Sequence, residues 1–243
     1  MCTVTFIPSG DKIFLASSRD EKAERLPADP PAWQIQNGIT LLYPRDTLSG
    51  GTWMAVNGYG TAGVLLNGGR RAHIPKPAYR KSRGLVMLDL MAYESPSTIF
   101  RGMSLQGIEP FTLILFEKEK LISVVWDGKK KYFSDMNRHE PQIFSSSTLY
   151  DPAAVRKREK WFGDWLNRSP FPELPDVFGF HLGAGDGDPR DAVRMDREGK
   201  LFTQCIGVLS MTQTRADFSY LDLTSGVVSD SVLTFTKTTT IPA

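Results

Sequence analysis

The chain has 243 residues, 41% hydrophobic and 23% charged, enough apolar material to bury a substantial core and too much to suggest disorder. Its 29 basic and 27 acidic side chains leave a formal net charge of +2, too balanced to argue for a nucleic-acid partner on electrostatic grounds. No apolar run approaches the roughly 20 residues that span a bilayer, and the N-terminus lacks a basic segment followed by an apolar stretch and a cleavage site. The expectation is one domain over residues 1–243, cytoplasmic and with no integral membrane association.

The chain opens Met1-Cys2-Thr3, and removal of Met1 would expose Cys2 as the terminal residue. A terminal cysteine carries a thiol and a free α-amine together, and an amine with a pKa of roughly 8 can act as the base for its own nucleophile. Two strands are predicted, over the apolar run through Val4, Phe6 and Ile7 and over Lys12–Ser18, joined by a hairpin through Pro8-Ser9-Gly10-Asp11. That hairpin returns Arg19-Asp20-Glu21, read as a turn, beside Cys2. A guanidinium there could depress the thiol pKa, a carboxylate could hold the α-ammonium, and Glu21 is expected to face solvent. On these residues alone, the alternative reading of the triplet is a solvated turn.

A Pro-rich loop follows over residues 27–31, then a short strand over 39–43 that Pro44 stops. Residues 52–56 and 60–66 flank Asn57-Gly58-Tyr59, a strong hairpin signal, and Asn67-Gly68-Gly69 ends the second strand. The Asn67 amide could donate to a developing oxyanion, or Asn67 could simply be a turn residue. Helices are predicted over 82–91, with Ser82 as cap, and over 97–103. Residues 111–116, 121–126 and 131–133 form an antiparallel meander. An amphipathic helix covers 152–167, with Val155, Phe162, Trp165 and Leu166 on one side and its Arg and Lys residues on the other. Strands over 201–213, 218–223 and 232–236 complete the sheets. Cys205 falls in the first of these and is read as a buried, unreactive thiol.

His73, His139 and His181 stand too far apart for metal-ligand spacing, and the Gly-Ala-Gly-Asp-Gly-Asp-Pro segment at 183–189 completes neither a phosphate loop nor a calcium loop, so no metal or cofactor is expected. Antiparallel strands with helices grouped between them indicate an α+β fold.

Met1-Cys2-Thr3-Val4-Thr5-Phe6, Ser18-Arg19-Asp20-Glu21 and Gly50-Gly51-Thr52-Trp53, followed by a Gly-rich strand ending at Asn67, resemble the NRDE family, which includes the transport and Golgi organisation protein 2 relatives. Later, weaker stations are Phe144–Tyr150 and Gln213-Thr214-Arg215, and the Asn that opens the family's naming motif is Ser18 here. The family in turn resembles, more distantly, N-terminal nucleophile hydrolases of the choloylglycine hydrolase and penicillin V acylase type. That resemblance implies a four-layer αββα sandwich, a Cys2 nucleophile, support from Arg19, Asp20 and Arg215, and an oxyanion-hole Asn67. Trp53 and Ser146 are implied substrate contacts. The implied partner is a small acyl or amide substrate; the alternative is a haem or lipid carrier, as the animal relatives suggest, or an interaction protein on the same fold.

Overall fold

The computed structural model describes residues 3–236. The first strand, β1 (Thr3–Ser9), turns through Gly10 and Asp11 into β2 (Lys12–Lys22). Then come β3 (Asp29–Gln36), β4 (Ile39–Arg45), β5 (Met54–Asn57), β6 (Ala62–Asn67), α1 (Arg83–Met91) and α2 (Pro96–Gly102). The second half holds β7 (Phe111–Glu117), β8 (Lys120–Trp126), β9 (Lys131–Met136), β10 (Gln142–Ser145), α3 (Pro152–Arg168) and α4 (Leu174–Gly183). It closes with β11 (Asp196–Arg197), β12 (Leu201–Met211), β13 (Arg215–Asp222) and β14 (Val228–Thr234). Among the described residues these strands form two seven-stranded sheets, β10-β1-β2-β12-β13-β14 with β11 beside β12, and β3-β4-β5-β6-β7-β8-β9. Every pairing in both is antiparallel.

Side-chain alternation along the strands makes the four layers. Val4, Phe6, Leu15, Leu209 and Phe218 of the first sheet meet Leu42, Val56, Val64 and Ile114 of the second, with Trp53 from the connection before β5, in the central core. The opposite face of the second sheet, with Leu41, Ala55, Leu65 and Leu113, packs on Val86, Met87, Leu90 and Met91 of α1 and Phe100 of α2. The outer face of the first sheet, with Ile7, Phe14, Ala16 and Ile206, packs on Phe162 of α3 and Val177 and Phe180 of α4. Helices, sheet, sheet and helices follow in that order: an α+β, αββα sandwich.

Three sequence expectations are corrected here. Residues 29–31 belong to β3 rather than to a loop, because β3 is an outer strand of its sheet, where a proline's missing N–H leaves no ladder bond unmade. Pro44 does not end β4, which continues to Arg45 opposite a register shift between Asp29 and Ala32. The Arg19-Asp20-Glu21 triplet is not a turn: β2 runs on to Lys22, pairing Arg19 with Cys205 and Asp20 with Thr203. Helix α4 is an addition to the expected elements, with Pro175 in its first turn, where the missing N–H costs nothing.

Candidate functional site

At one end of the sandwich, β1 begins at Thr3, flanked by Ser18 of β2 and Ser145 of β10. Cys2 and its α-amine lie outside the described residues. Neighbours on a strand point to opposite faces, so β2 sends Arg19 and Asp20 to different sides of its sheet. Both are almost wholly enclosed, at 2% and 1% exposure.

Arg19 enters the space between the sheets. Its guanidinium donates to Asp46 Oδ2 at 2.7 Å and to Gln204 Oε1, and its carbon lies 4.8 Å from the centre of the Trp53 ring. Arg25 grips the same carboxylate, Nη2 to Oδ1 at 2.8 Å and Nε to Oδ2 at 3.1 Å, and the Ser49 N–H donates to Oδ1 at 2.8 Å. Burial raises the Asp46 pKa, but the Ser49 hydrogen bonds and the Arg25 and Arg19 charges outweigh it and hold the carboxyl below its ordinary range. Glu21, 28% exposed rather than fully solvated, approaches Arg19 at 3.6 Å.

These groups wall a cleft of about 110 Å³ shared with Trp53, Leu65, Asn67 and the Ser82-Arg83-Gly84 start of α1. The Gly-Gly-Thr-Trp segment is built for that junction. A Cβ on Gly51 would stand 2.6 Å from the Gly84 carbonyl carbon and one on Gly84 would stand 2.7 Å from the Thr52 oxygen, so only glycines let α1 touch the β4–β5 connection. Thr52 Oγ1 donates to the Pro44 carbonyl at 2.7 Å and fixes the approach to Trp53. Trp53 is 2% exposed, and its indole N–H finds no hydrogen-bond partner among the described residues.

Asn67 presents its backbone carbonyl to the Ser146 hydroxyl at 2.7 Å. Ser146 is fully buried and also meets Thr148 Oγ1 at 3.1 Å, so its hydroxyl ties the end of β6 to the 146–148 segment. Gly68, at φ +88°, lets the 146–148 segment lie close: a Cβ there would fall 2.7 Å from Thr148 Cγ2. Beside this segment a wider trough of about 800 Å³ opens between Arg70–Ala72 and the residues from Ser145 to Glu159, walled by Leu149, Tyr150, Pro152 and Val155.

Asp20 faces the helical side. Its Oδ2 accepts from Tyr150 Oη at 2.7 Å and its Oδ1 from Thr203 Oγ1 at 2.6 Å. Arg215 is not brought to this end at all. It opens β13 beyond the β12–β13 turn, 58% exposed and paired with Asp217 at 3.1 Å. The sheet register puts neighbouring Met211 opposite Ile13, six positions along β2 from Arg19, or roughly 20 Å at 3.3 Å per residue. Trp53, Arg19 and Asn67 therefore share one cleft, Asp20 lies across the sheet from it, and Arg215 lies at the far end.

Residues that the sequence reading passed over complete the arrangement. Arg158 of α3, assigned to a solvated helix face, is fully buried, and Nη1 donates to Thr3 Oγ1 at 2.6 Å. His181 of α4 is also fully buried, with Nε2 2.9 Å from Thr5 Oγ1 and Nδ1 2.8 Å from Ser18 Oγ. Burial, with the Arg158 charge, pushes its pKa down to about 3, so the ring is neutral and acts as a tie between β1 and β2. Cys205 is a free, buried thiol whose pKa burial pushes up to about 12. No signal in the local sequence distinguishes Arg158 from its exposed basic neighbours, because its partners lie about 30 and 155 residues away.

A conjugated bile acid hydrolase from Clostridium perfringens, solved as an arginine-to-leucine variant, shares this architecture with a TM-score of 0.59 at 11% identity, covering 100% of this chain and 99% of that one. A cysteine-to-alanine mutant of the same hydrolase gives 0.60 at 10% identity over 97% of each chain. The Caenorhabditis elegans ortholog of N-acylethanolamine-hydrolyzing acid amidase gives 0.57 at 11% identity, covering 86% of this chain and 92% of that one. At such identities the likeness establishes the fold, which is that of the N-terminal nucleophile hydrolases. In sequence, the chain is similar to Transport and Golgi organization protein 2 of Drosophila melanogaster, 33% identical over 102 residues that cover 37% of this chain and 34% of that protein. The match thus spans about a third of that relative's length. The profile of the family described as Transport and Golgi organisation 2 matches residues 1–221, and the chain belongs to that family.

Proposed function

We propose that the protein hydrolyses a carbon–nitrogen amide bond of a small acyl substrate, with Cys2 as the nucleophile after loss of Met1. The observation that carries the reading is the pair Arg19 and Asp20, buried on opposite faces of β2 directly after Ser18, which pairs with Thr3, the residue bonded to Cys2. Cys2 is tethered within about 3.8 Å of the Thr3 Cα by the chain itself. Both groups are partnered, which offsets the cost of burying them, and their place at the strand end sets a cation and a carboxylate beside the residue that follows the proposed nucleophile.

In this mechanism the Cys2 thiol passes its proton to the α-amine, and the thiolate attacks the substrate carbonyl to form a C–S bond. Asn67, with a backbone N–H, stabilises the oxyanion; the C–N bond then breaks, and the amine leaves with the proton from the α-ammonium. Water, deprotonated by the α-amine, hydrolyses the thioester to a carboxylic acid and frees the thiol. Asp20 holds the α-ammonium between these steps, and Arg19 biases the thiol toward its ionised form. Trp53 closes the cleft, and the trough beside Tyr150 and Val155 has the size and apolar wall to receive an acyl group. The structural likeness to a bile acid hydrolase and to an acylethanolamine-hydrolysing amidase supports the reaction class without naming the substrate.

The size of that trough also favours a second reading, a carrier of haem or lipid with no chemistry at Cys2. Amine release from a panel of N-acyl amides, compared between the wild type and Cys2→Ser, separates the two. The hydrolase predicts turnover that falls by orders of magnitude in Cys2→Ser while ligand binding survives. Ligand binding with no amine release in either protein would establish the carrier instead.

A further inference from the structure

Arg158 of α3 is a fully buried cation. Among the described residues it makes no ion pair. Its Nε and Nη2 donate to the main-chain carbonyls of Asp191 and Ala192 at 3.0 and 2.6 Å, and Nη1 donates to the Thr3 hydroxyl at 2.6 Å. Its guanidinium carbon lies 3.5 Å from the centre of the Tyr150 ring, which Arg197 also approaches at 5.5 Å. The Tyr150 hydroxyl then donates to Asp20 Oδ2 at 2.7 Å. A buried charge is expensive, and a cation seated on an aromatic ring draws electron density from it and makes its hydroxyl a stronger donor. Beyond the two main-chain carbonyls that anchor it, the cation therefore acts on the first described residue of β1 and, through Tyr150, on the carboxylate of Asp20.

We infer that Arg158 is a positioning residue for the N-terminal nucleophile, fixing the start of β1 through Thr3 and aiming the Asp20 carboxylate through Tyr150. The inference rests on the reading that Cys2 is the nucleophile and Asp20 the group that holds its amine. Arg158 touches no substrate in this scheme; it acts through two other side chains. It explains why the buried face of α3, with Ala154 and Phe162, carries an arginine, and why Tyr150 sits one residue before the Asp151 cap of α3, where the helix start fixes its ring. Among the described residues, Thr203 also donates to Asp20, Arg197 stands beside the Tyr150 ring, and neutral His181 engages Thr5 and Ser18 through its two nitrogens. On the opposite face of the sheet stand Arg19, Glu21, Arg25 and Asp46.

The test is the rate of Cys2 alkylation by iodoacetamide against pH, mapped by mass spectrometry on protein lacking Met1. With Asp20 aimed, the ammonium stays protonated and lowers the midpoint of thiol titration. Arg158→Gln releases Asp20, the amine loses its proton earlier, and the midpoint moves upward by about half a unit or more. Tyr150→Phe, which keeps the ring and removes only the hydroxyl, moves it the same way and serves if the Arg158 variant does not fold. In an Asp20→Asn background Arg158→Gln adds little, because residues acting through one group are not additive. Phe162→Leu, which loosens the packing of α3 without touching this chain of contacts, leaves the midpoint in place. A lowered wild-type midpoint that neither Arg158→Gln nor Tyr150→Phe shifts overturns the positioning role alone. An ordinary thiol midpoint in the wild type, unmoved by Asp20→Asn, overturns the hydrolase reading and the inference together.

Discussion

Replacing Arg19 with Gln removes a cation enclosed between the two sheets beside β2. Breaking a buried ion pair by deleting one partner costs about 3–5 kcal/mol, chiefly because the remaining charge stays buried and unpaired. Here Asp46 keeps the two Arg25 contacts and the Ser49 N–H, which places the loss near the lower limit, about 3 kcal/mol. The lost contact over Trp53 falls within that figure rather than adding to it. Arg19→Lys keeps the charge but cannot fork between Asp46 and Gln204, so it falls between the two. The pH dependence carries a sign. The folded protein holds Asp46 below its ordinary pKa, so its ionisation stabilises the fold above about pH 4, and that contribution is lost as pH falls through the lower folded value. With one cation gone, less of it remains to lose, and the deficit of Arg19→Gln should be largest at neutral pH and shrink on acidification. Urea unfolding followed by tryptophan fluorescence, at a series of pH values from neutral to acid, measures both effects. A loss below about 1 kcal/mol, or a deficit that does not change with pH, would refute the claim that this pair is a buried, charge-coupled unit.

His181, with a folded pKa of about 3 against roughly 6.5 when unfolded, contributes stability that is complete above the unfolded value and lost as pH falls through the window between the two. Urea midpoints should therefore decline from about pH 6.5 downward, and His181→Asn should flatten that decline; an equally steep decline in the variant would remove the residue from the account. Gly51→Ala forces a methyl group against the Gly84 backbone and should cost about 1–3 kcal/mol while widening the cleft around Trp53, read as a shift in its fluorescence; a neutral substitution would mean that the two glycines are not in contact. Cys205, buried and with its pKa pushed up to about 12, should resist iodoacetamide in the folded protein and react only in urea, so native labelling at pH 8 should fall on Cys2 alone.

Much of the fold is legible in local pattern. The Asn57-Gly58 turn, the apolar runs of β7 and β8 and the cap at Ser82 are short-range signals, and the corresponding elements form where those signals place them. Local pattern fails where tertiary placement decides. The prolines of β3 read as a loop unless the strand is known to lie at a sheet edge. Arg19-Asp20-Glu21 reads as a turn because charges in a strand are disfavoured in isolation, and what keeps them in β2 are partners at positions 46, 150, 203 and 204. Arg158 looks like any basic residue on a helix for the same reason. Arg215 is misplaced for the converse reason: a motif gives the order of stations along the chain but not the end of the strand each occupies, and β13 starts at the end away from Thr3.

The central claim is that residue 2 does the chemistry. Treating the wild type and Cys2→Ser with an activated acyl ester and measuring intact mass tests it most directly. The account predicts that Met1 is absent and that a single acyl adduct forms on Cys2 of the wild type and not on Cys2→Ser. Equal acylation of the two proteins, or an active preparation that retains Met1, would contradict it.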